Sequence, residues 1–76
     1  MTINFYYKDN DLYITKKSFD KLKSDNNPVA FKGIIAAAKE TISRDHAFIV
    51  YEENDSSIIR KCDRMSELED EIGQSE

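Results

Sequence analysis

The N-terminal part of the chain alternates between apolar and polar positions in the manner of a β-strand. Ile3, Phe5 and Tyr7 occupy every second position, and the polar run 9–11 then interrupts the pattern. A second run, 12–15, resumes the aromatic and β-branched character. Because successive side chains of a strand point to opposite faces and Asp/Asn-rich segments favour turns, this pattern predicts a β-hairpin.

Two helices are predicted in the middle of the chain. Phe19 and Leu22 lie three residues apart, which indicates a short helix or a single turn that Thr15 or Ser18 would cap. In the segment 28–44, apolar residues recur at three- and four-residue spacing, as on one side of an amphipathic helix. This segment opens with proline, which suits the first position of a helix because no backbone donor is needed there. It is therefore the main predicted helix.

A second hairpin is expected after this helix. The segment 46–52 is apolar on both faces, which is typical of a strand in the middle of a sheet. The polar residues 53–56 predict a turn, and the segment 57–62 returns with Ile58 and Ile59. The two strands would therefore pair with each other.

The chain closes with a predicted third helix. Asp63 or Ser66 would cap it, and Ser66 with Glu69 has the spacing of a capping box, while Gly73 provides a stop. Its apolar stripe is Met65, Leu68 and Ile72.

Together these elements predict an α+β fold. The expected architecture is an antiparallel four-stranded sheet, in the order ββ(α)αββα, with helices packed on one face. With 76 residues, the chain is expected to form a single compact domain over residues 1–76, with a frayed tail at 74–76.

Composition narrows the classes of protein to consider. There is 1 cysteine, so the chain cannot form an internal disulfide framework, which a small secreted domain usually needs. No apolar run is long enough to span a membrane, and the first residues lack the charged and apolar parts of a signal peptide. We therefore expect a cytoplasmic protein without a membrane partner.

The sequence offers little catalytic chemistry. Cys62 and His46 are the one thiol and the one imidazole, and they lie at opposite ends of the second predicted hairpin, where pairing would bring them together. A buried structural cysteine and a polar edge histidine are the more common outcome. Gly33 and Gly73 are isolated, so no phosphate-binding loop is present. We assign no catalytic, cofactor-binding or metal-binding residues and expect no cofactor.

Charge is distributed unevenly along the chain. Through His46 there are eight basic and six acidic residues, a balance of +2, whereas three basic and nine acidic residues follow, a balance of −6. The acidic residues that define a candidate acidic surface are Glu52, Glu53, Asp55, Glu67, Glu69, Asp70 and Glu71. Such a surface either solvates a small protein or binds a basic partner.

The favoured functional hypothesis is a non-catalytic acidic protein that binds a macromolecular partner. The partner would be a protein with a basic surface, for example a nucleic-acid-binding protein or complex. An inhibitor or regulator fits best, such as a phage-type antagonist of a host or defence complex that handles nucleic acid.

Two alternatives remain open. One is a module for single-stranded nucleic acid, in which tyrosines of the first hairpin stack on bases and lysines contact phosphates, although the net charge of −4 opposes tight phosphate binding. The residues of this alternative surface are Tyr6, Tyr13, Lys16, Lys17, Lys21 and Lys23. The other is a homodimer, which an uncovered sheet would form through Phe48, Val50 or Tyr6.

Overall fold

The computed structural model describes residues 3–24 and 28–73 of the chain. The described part is an α+β domain in which one sheet carries helices on one side. Its elements, in chain order, are β1 (Phe5–Lys8), β2 (Asp11–Thr15), α1 (Lys16–Ser24), α2 (Pro28–Ser43), β3 (Phe48–Tyr51), β4 (Ile58–Cys62) and α3 (Met65–Gly73). The expected tail at 74–76 lies outside the described residues.

The first hairpin is closed by a two-residue turn. Lys8 pairs with Asp11 across the turn, and the intervening Asp9 and Asn10 have φ of 53° and 71°. Two consecutive residues in the left-handed region match the turn that fits the twist of a hairpin, and Asp and Asn tolerate that region better than most residues. The predicted hairpin is confirmed.

The sheet is mixed, so the expectation of a purely antiparallel sheet is wrong. The strand order is β1-β2-β3-β4, and β2 runs parallel to β3, while both outer pairs are antiparallel. The cause is the crossover from β2 to β3. At 1.5 Å per residue, α2 is long enough to carry the chain back along the sheet, so β3 starts at the same end as β2. The predicted short helix is a nine-residue helix, α1.

One face of the sheet is covered by the helices and forms the core. Leu12 pairs in register with Phe48, and Phe48 pairs with Cys62, so these side chains point to the same face. All three are fully buried, and the Phe19 ring of α1 lies 5.7 Å from the Phe48 ring, edge on. Val50 is buried on the same face, so neither Phe48 nor Val50 is available as the dimer patch that the sequence indicated. We call this the helix side and the opposite one the open side.

Thr15 ends β2 and caps α1. Its Oγ1 accepts a hydrogen bond of 3.1 Å from the backbone N–H of Ser18, and the Thr15 side chain is buried. The hydroxyl of Ser18 in turn accepts a bond of 2.9 Å from the backbone N–H of Asn4. Of the two capping candidates, Thr15 therefore caps the helix, and Ser18 attaches it to the chain just before β1.

Thr15→Ala is expected to lower the free energy of unfolding by about 1 kcal/mol, because the Ser18 N–H loses its acceptor at the first turn of the helix. Urea denaturation followed by circular dichroism measures the change. Thr15→Ser keeps the acceptor oxygen and serves as the control, with a smaller loss expected. Equal losses in the two variants would show that the methyl group, and not the cap, is responsible.

The third helix begins earlier than its predicted capping box requires. It starts at Met65, so Ser66 lies within its first turn and the predicted pair of Ser66 with Glu69 does not cap it. Instead, the Glu67 carboxylate accepts a bond of 3.1 Å from the backbone N–H of Asp63. The side chain that returns to the chain before the helix is thus Glu67, two residues earlier than the expected Glu69.

No helix in residues 3–24 and 28–73 has the length and apolarity required to cross a membrane.

Candidate interaction site

The turn between β3 and β4 carries three residues of the acidic surface. Its backbone is closed by hydrogen bonds between Glu52 and Ser57 (2.8 Å) and between Ser56 and Glu52 (2.7 Å). Asp55 accepts bonds from the Ser57 hydroxyl at 2.7 Å and the Ser57 N–H at 3.0 Å, and these bonds lower the pKa of Asp55. Glu53 and Asp55 are exposed, and Glu52 is half-buried. The turn therefore fixes the carboxylate of Asp55.

The four acidic residues of α3 fall into two pairs. Glu67 and Glu71 are half-buried, and Glu71 forms an ion pair of 3.2 Å with the Nε of Arg60 on β4. Glu69 and Asp70 are exposed. Glu71 thus fixes α3 against the sheet, the Glu67 carboxylate bonds the backbone N–H of Asp63 before the helix, and the other pair faces solvent.

Lys16, at the start of α1, lies near both the β3–β4 turn and α3. Its ammonium bonds Asp20 at 2.7 Å, and this bond is the main reason that the pKa of Lys16 is raised. Glu71 and Glu52 also contribute to the increase, so both α3 and the turn lie within electrostatic reach of this lysine. Glu52, at the start of the turn, and Glu71, on α3, are thus near the same lysine, and we call the region around these three residues the acidic corner.

The carboxylates of the turn and of α3 differ in their availability. Glu67 and Glu71 have partners within the chain, whereas Glu53, Asp55, Glu69 and Asp70 are exposed. We call these last four residues the exposed acidic set.

The lysines of the alternative nucleic-acid surface lie on α1. Lys16 is paired with Asp20, and the Nζ of Lys23 lies 5.4 Å from the centre of the Phe19 ring and 3.3 Å from the backbone oxygen of Glu71. Lys17 and Lys21 are exposed. Because Phe19 packs on Phe48, α1 lies on the helix side of the sheet.

The tyrosines of that alternative lie on the open side and form a cluster with a third tyrosine. The Tyr6 and Tyr13 rings stack at 5.1 Å, nearly parallel, and Tyr51 meets both rings edge on, at 5.9 and 6.1 Å. Burial, followed by the nearby Tyr6, raises the pKa of Tyr51. Ile49, on the same side of the sheet, is only 3% exposed. The cluster therefore acts as a small apolar cover for the sheet.

The two halves of the nucleic-acid surface are consequently separated by the sheet. The stacked rings point away from the helices, and α1 with its lysines packs beneath them. The sequence pattern did not indicate Tyr51 as a member of this group. The alternation of Tyr13 and Tyr51 with buried core positions would have placed them on one face, given the parallel pairing of their strands.

Cys62 and His46 have different neighbours. Cys62 is fully buried at the end of β4, where burial raises the pKa of its thiol and a hydrogen bond with Arg60 partly opposes that increase. The Nδ1 of His46 lies 3.6 Å from the carboxylate of Asp11, which also accepts a 2.8 Å bond from the N–H of Ala47. Each group therefore has a neighbour other than the one that the hairpin suggested: Arg60 for the Cys62 thiol and Asp11 for the His46 imidazole.

We expect Cys62 to resist alkylation in the folded protein. Its reaction with iodoacetamide should be slow at neutral pH and become faster as pH rises, because a raised thiol pKa leaves less thiolate at any given pH. Mass spectrometry after timed quenching measures the rate, and the urea-unfolded chain is the control. Equal rates in the folded and unfolded chains would contradict this assignment.

Beside His46 lies a cavity of about 630 Å³, between β1 and α2. Glu40 and Arg44 on its rim form an exposed ion pair of 2.6 Å along α2.

In the part of the chain that the structure describes, no three His, Cys, Asp or Glu side chains are grouped so as to hold a metal ion.

Comparison of the chain with protein-family models, with curated proteins and with solved structures gave no match.

Proposed function

We propose that this protein binds a basic surface of another protein and acts there as an inhibitor or regulator without catalysing a reaction. The observation that carries the proposal is the exposed acidic set, four solvent-facing carboxylates on the β3–β4 turn and on α3, the two elements that flank the acidic corner. Because charged groups steer encounters over distances of about 10 Å, such a set increases the rate of association with a basic partner.

The rigidity of the corner supports binding through these residues. Asp55 is held by Ser57, and α3 is held by the ion pair between Glu71 and Arg60. Groups that are fixed before binding lose less conformational entropy when a partner is bound. A surface that binds phosphates is basic, so the role best suited to this chemistry is antagonism of a complex that handles nucleic acid, of the kind that phages direct against a host.

The nucleic-acid module is the weaker proposal. Its stacking residues and its lysines lie on opposite sides of the sheet, and Lys16 and Lys23 are bonded to other groups of the chain. The net charge of −4 also opposes phosphate binding.

The test compares two isosteric variants that each remove four negative charges. The first neutralises the exposed acidic set through Glu53→Gln, Asp55→Asn, Glu69→Gln and Asp70→Asn. The matched control changes exposed acids outside that set, through Asp9→Asn, Glu40→Gln, Asp45→Asn and Asp63→Asn. Wild type and both variants are used to capture proteins from extracts of the source cells, with and without nuclease, and the captured protein is then titrated in purified form.

The first variant is expected to bind the captured protein about tenfold to hundredfold more weakly than the control, because each exposed charge pair contributes about 0.2–1 kcal/mol. The difference should shrink as salt is added. Equal affinity of the two variants would contradict the proposal. Capture that is lost on nuclease treatment would favour the nucleic-acid module instead.

A further inference from the structure

The outer edge of β1 has unused backbone hydrogen-bonding groups. Lys8 and Asp11, which flank the two-residue turn, form a hydrogen-bonded pair. Because hydrogen-bonded pairs alternate along an antiparallel ladder, the backbone N–H and C=O groups of Tyr6, two residues before Lys8, also point to β2. Asn4, two residues before Tyr6, follows the same alternation, because its backbone oxygen accepts a hydrogen bond of 3.2 Å from the N–H of Thr15 on β2. The N–H and C=O groups of Phe5 and Tyr7 therefore point outward, where no strand of the described chain pairs with them.

This edge also lacks the usual protection against pairing. Natural sheets protect their edges with proline, bulges or charged side chains. The sequence of β1 is Phe-Tyr-Tyr-Lys, its four residues are exposed, and its one charge is at the end. The other edge strand, β4, has Arg60 and Lys61 within it and an irregular register opposite Val50 and Tyr51.

An apolar groove runs along the helix side of β1. It has a volume of about 320 Å³, and Phe5 forms its wall on the strand, opposite Ala30, Gly33 and Ala37 of α2. A Cβ placed at Gly33 would meet no atom within 4 Å, so the groove is open at that point. The edge therefore combines free backbone groups with uncovered apolar surface.

The distribution of charge favours a second copy of the same chain at this edge. Two molecules of net charge −4 repel each other, and the turn and α3, with the exposed acidic set, adjoin β3 and β4. Because β1 lies at the opposite edge of the sheet, contact through β1 keeps the acidic corners of two molecules far apart.

We propose that the protein forms a homodimer in which β1 pairs antiparallel with β1 of a second copy. With Tyr6 on the two-fold axis, Phe5 of each copy pairs with Tyr7 of the other, and the outward groups form four hydrogen bonds. Lys8 then lies opposite Asn4, so no like charges meet. The two sheets become one sheet of eight strands.

The side chains are compatible with the same register. Directly opposed residues point to the same face, so Tyr6 of each copy meets its equivalent on the open side and joins the two tyrosine clusters. On the helix side, the aromatic rings at positions 5 and 7 lie over the groove of the facing copy. Tyr7, which is 57% exposed in the monomer, becomes covered.

A disulfide cross-link tests this register directly. At the two-fold axis the Tyr6 pair is not hydrogen-bonded, and the Cα atoms of such pairs are about 4.5 Å apart, within the range that a disulfide spans. In a Cys62→Ala background, Tyr6→Cys is therefore expected to give a covalent dimer on mild oxidation. The matched control is Ile58→Cys, an exposed position on the opposite edge strand, which should remain a monomer.

The second measurement is the molar mass, determined by light scattering and sedimentation equilibrium on protein without engineered cysteines. The wild-type chain should show twice the monomer mass at submillimolar concentration, and Tyr7→Lys should weaken dimerisation at least tenfold with an unchanged circular dichroism spectrum. A wild-type chain that stays monomeric would overturn the proposal. A dimer that cross-links through Ile58→Cys instead of Tyr6→Cys would also overturn it. Neither outcome bears on the acidic surface, which lies elsewhere.

Discussion

Phe48→Ala is expected to lower the free energy of unfolding by about 3–5 kcal/mol, which is most of the stability that a core of this size supplies. Phe48 is the centre of the helix side. It is 0% exposed, lies between Leu12 and Cys62 in the sheet and contacts the ring of Phe19 on α1. Removal of its ring leaves a cavity where strands and helix meet, and the rigid surroundings fill such a cavity only partly.

Urea denaturation measures this loss, and two further variants keep the measurement interpretable. Phe48→Leu retains most of the apolar volume and should lose about 1 kcal/mol, so its transition stays measurable when Phe48→Ala is unfolded in water. Val29→Ala shortens an apolar side chain that is 78% exposed and should change stability by less than about 0.5 kcal/mol. A loss for Phe48→Ala no larger than that for Val29→Ala would show that the core is not centred on this residue.

The position of Phe48 was accessible from the sequence because its strand is apolar on both faces. That pattern is typical of an interior strand, and β3 is indeed flanked by β2 and β4. The direction of β3 relative to β2 was not accessible in the same way. That direction depends on how the crossover over residues 16–47 returns along the sheet. Hydrophobic periodicity shows which side of an element is buried, but not at which end of the sheet a strand begins.

The candidate sites show a similar division. The sequence identifies which residues are acidic, but not which of their carboxylates are paired within the chain. Glu71 is paired and Asp70 is not in that ion pair because Arg60, which is distant in the chain, is adjacent to Glu71 in the fold. The tyrosine cluster likewise combines residues of three strands, so it needs the strand order before it can be recognised. Contacts between neighbours in the chain are therefore the predictable part, and contacts that depend on topology are not.

Leu68→Ala is expected to lower the free energy of unfolding by about 2–5 kcal/mol and to loosen α3 more than the rest of the domain. Leu68 is the fully buried residue of this helix, and α3 packs on α2 and β4. Met65 and Ile72, on the same stripe, are only partly buried. The nine-residue helix is too short to be stable in water by itself, so its structure depends on its packing, of which Leu68 is the most buried part.

Amide hydrogen exchange measures the local effect, and Leu68→Met is the control. Protection should fall first in α3 and least in β2 and β3, whereas Leu68→Met, which keeps nearly the same volume, should lose less than about 1.5 kcal/mol. Uniform loss of protection in every element would show instead that α3 unfolds only together with the whole domain.

The same variant separates the charge of the acidic surface from its geometry. Leu68→Ala removes no charge, yet it loosens the helix that carries Glu69 and Asp70. If the proposed function depends on a rigid corner, the variant should dissociate from its partner faster while its rate of association, which long-range charge controls, changes little. An unchanged dissociation rate, with α3 shown to be loosened by hydrogen exchange, would mean that the turn alone makes the contact.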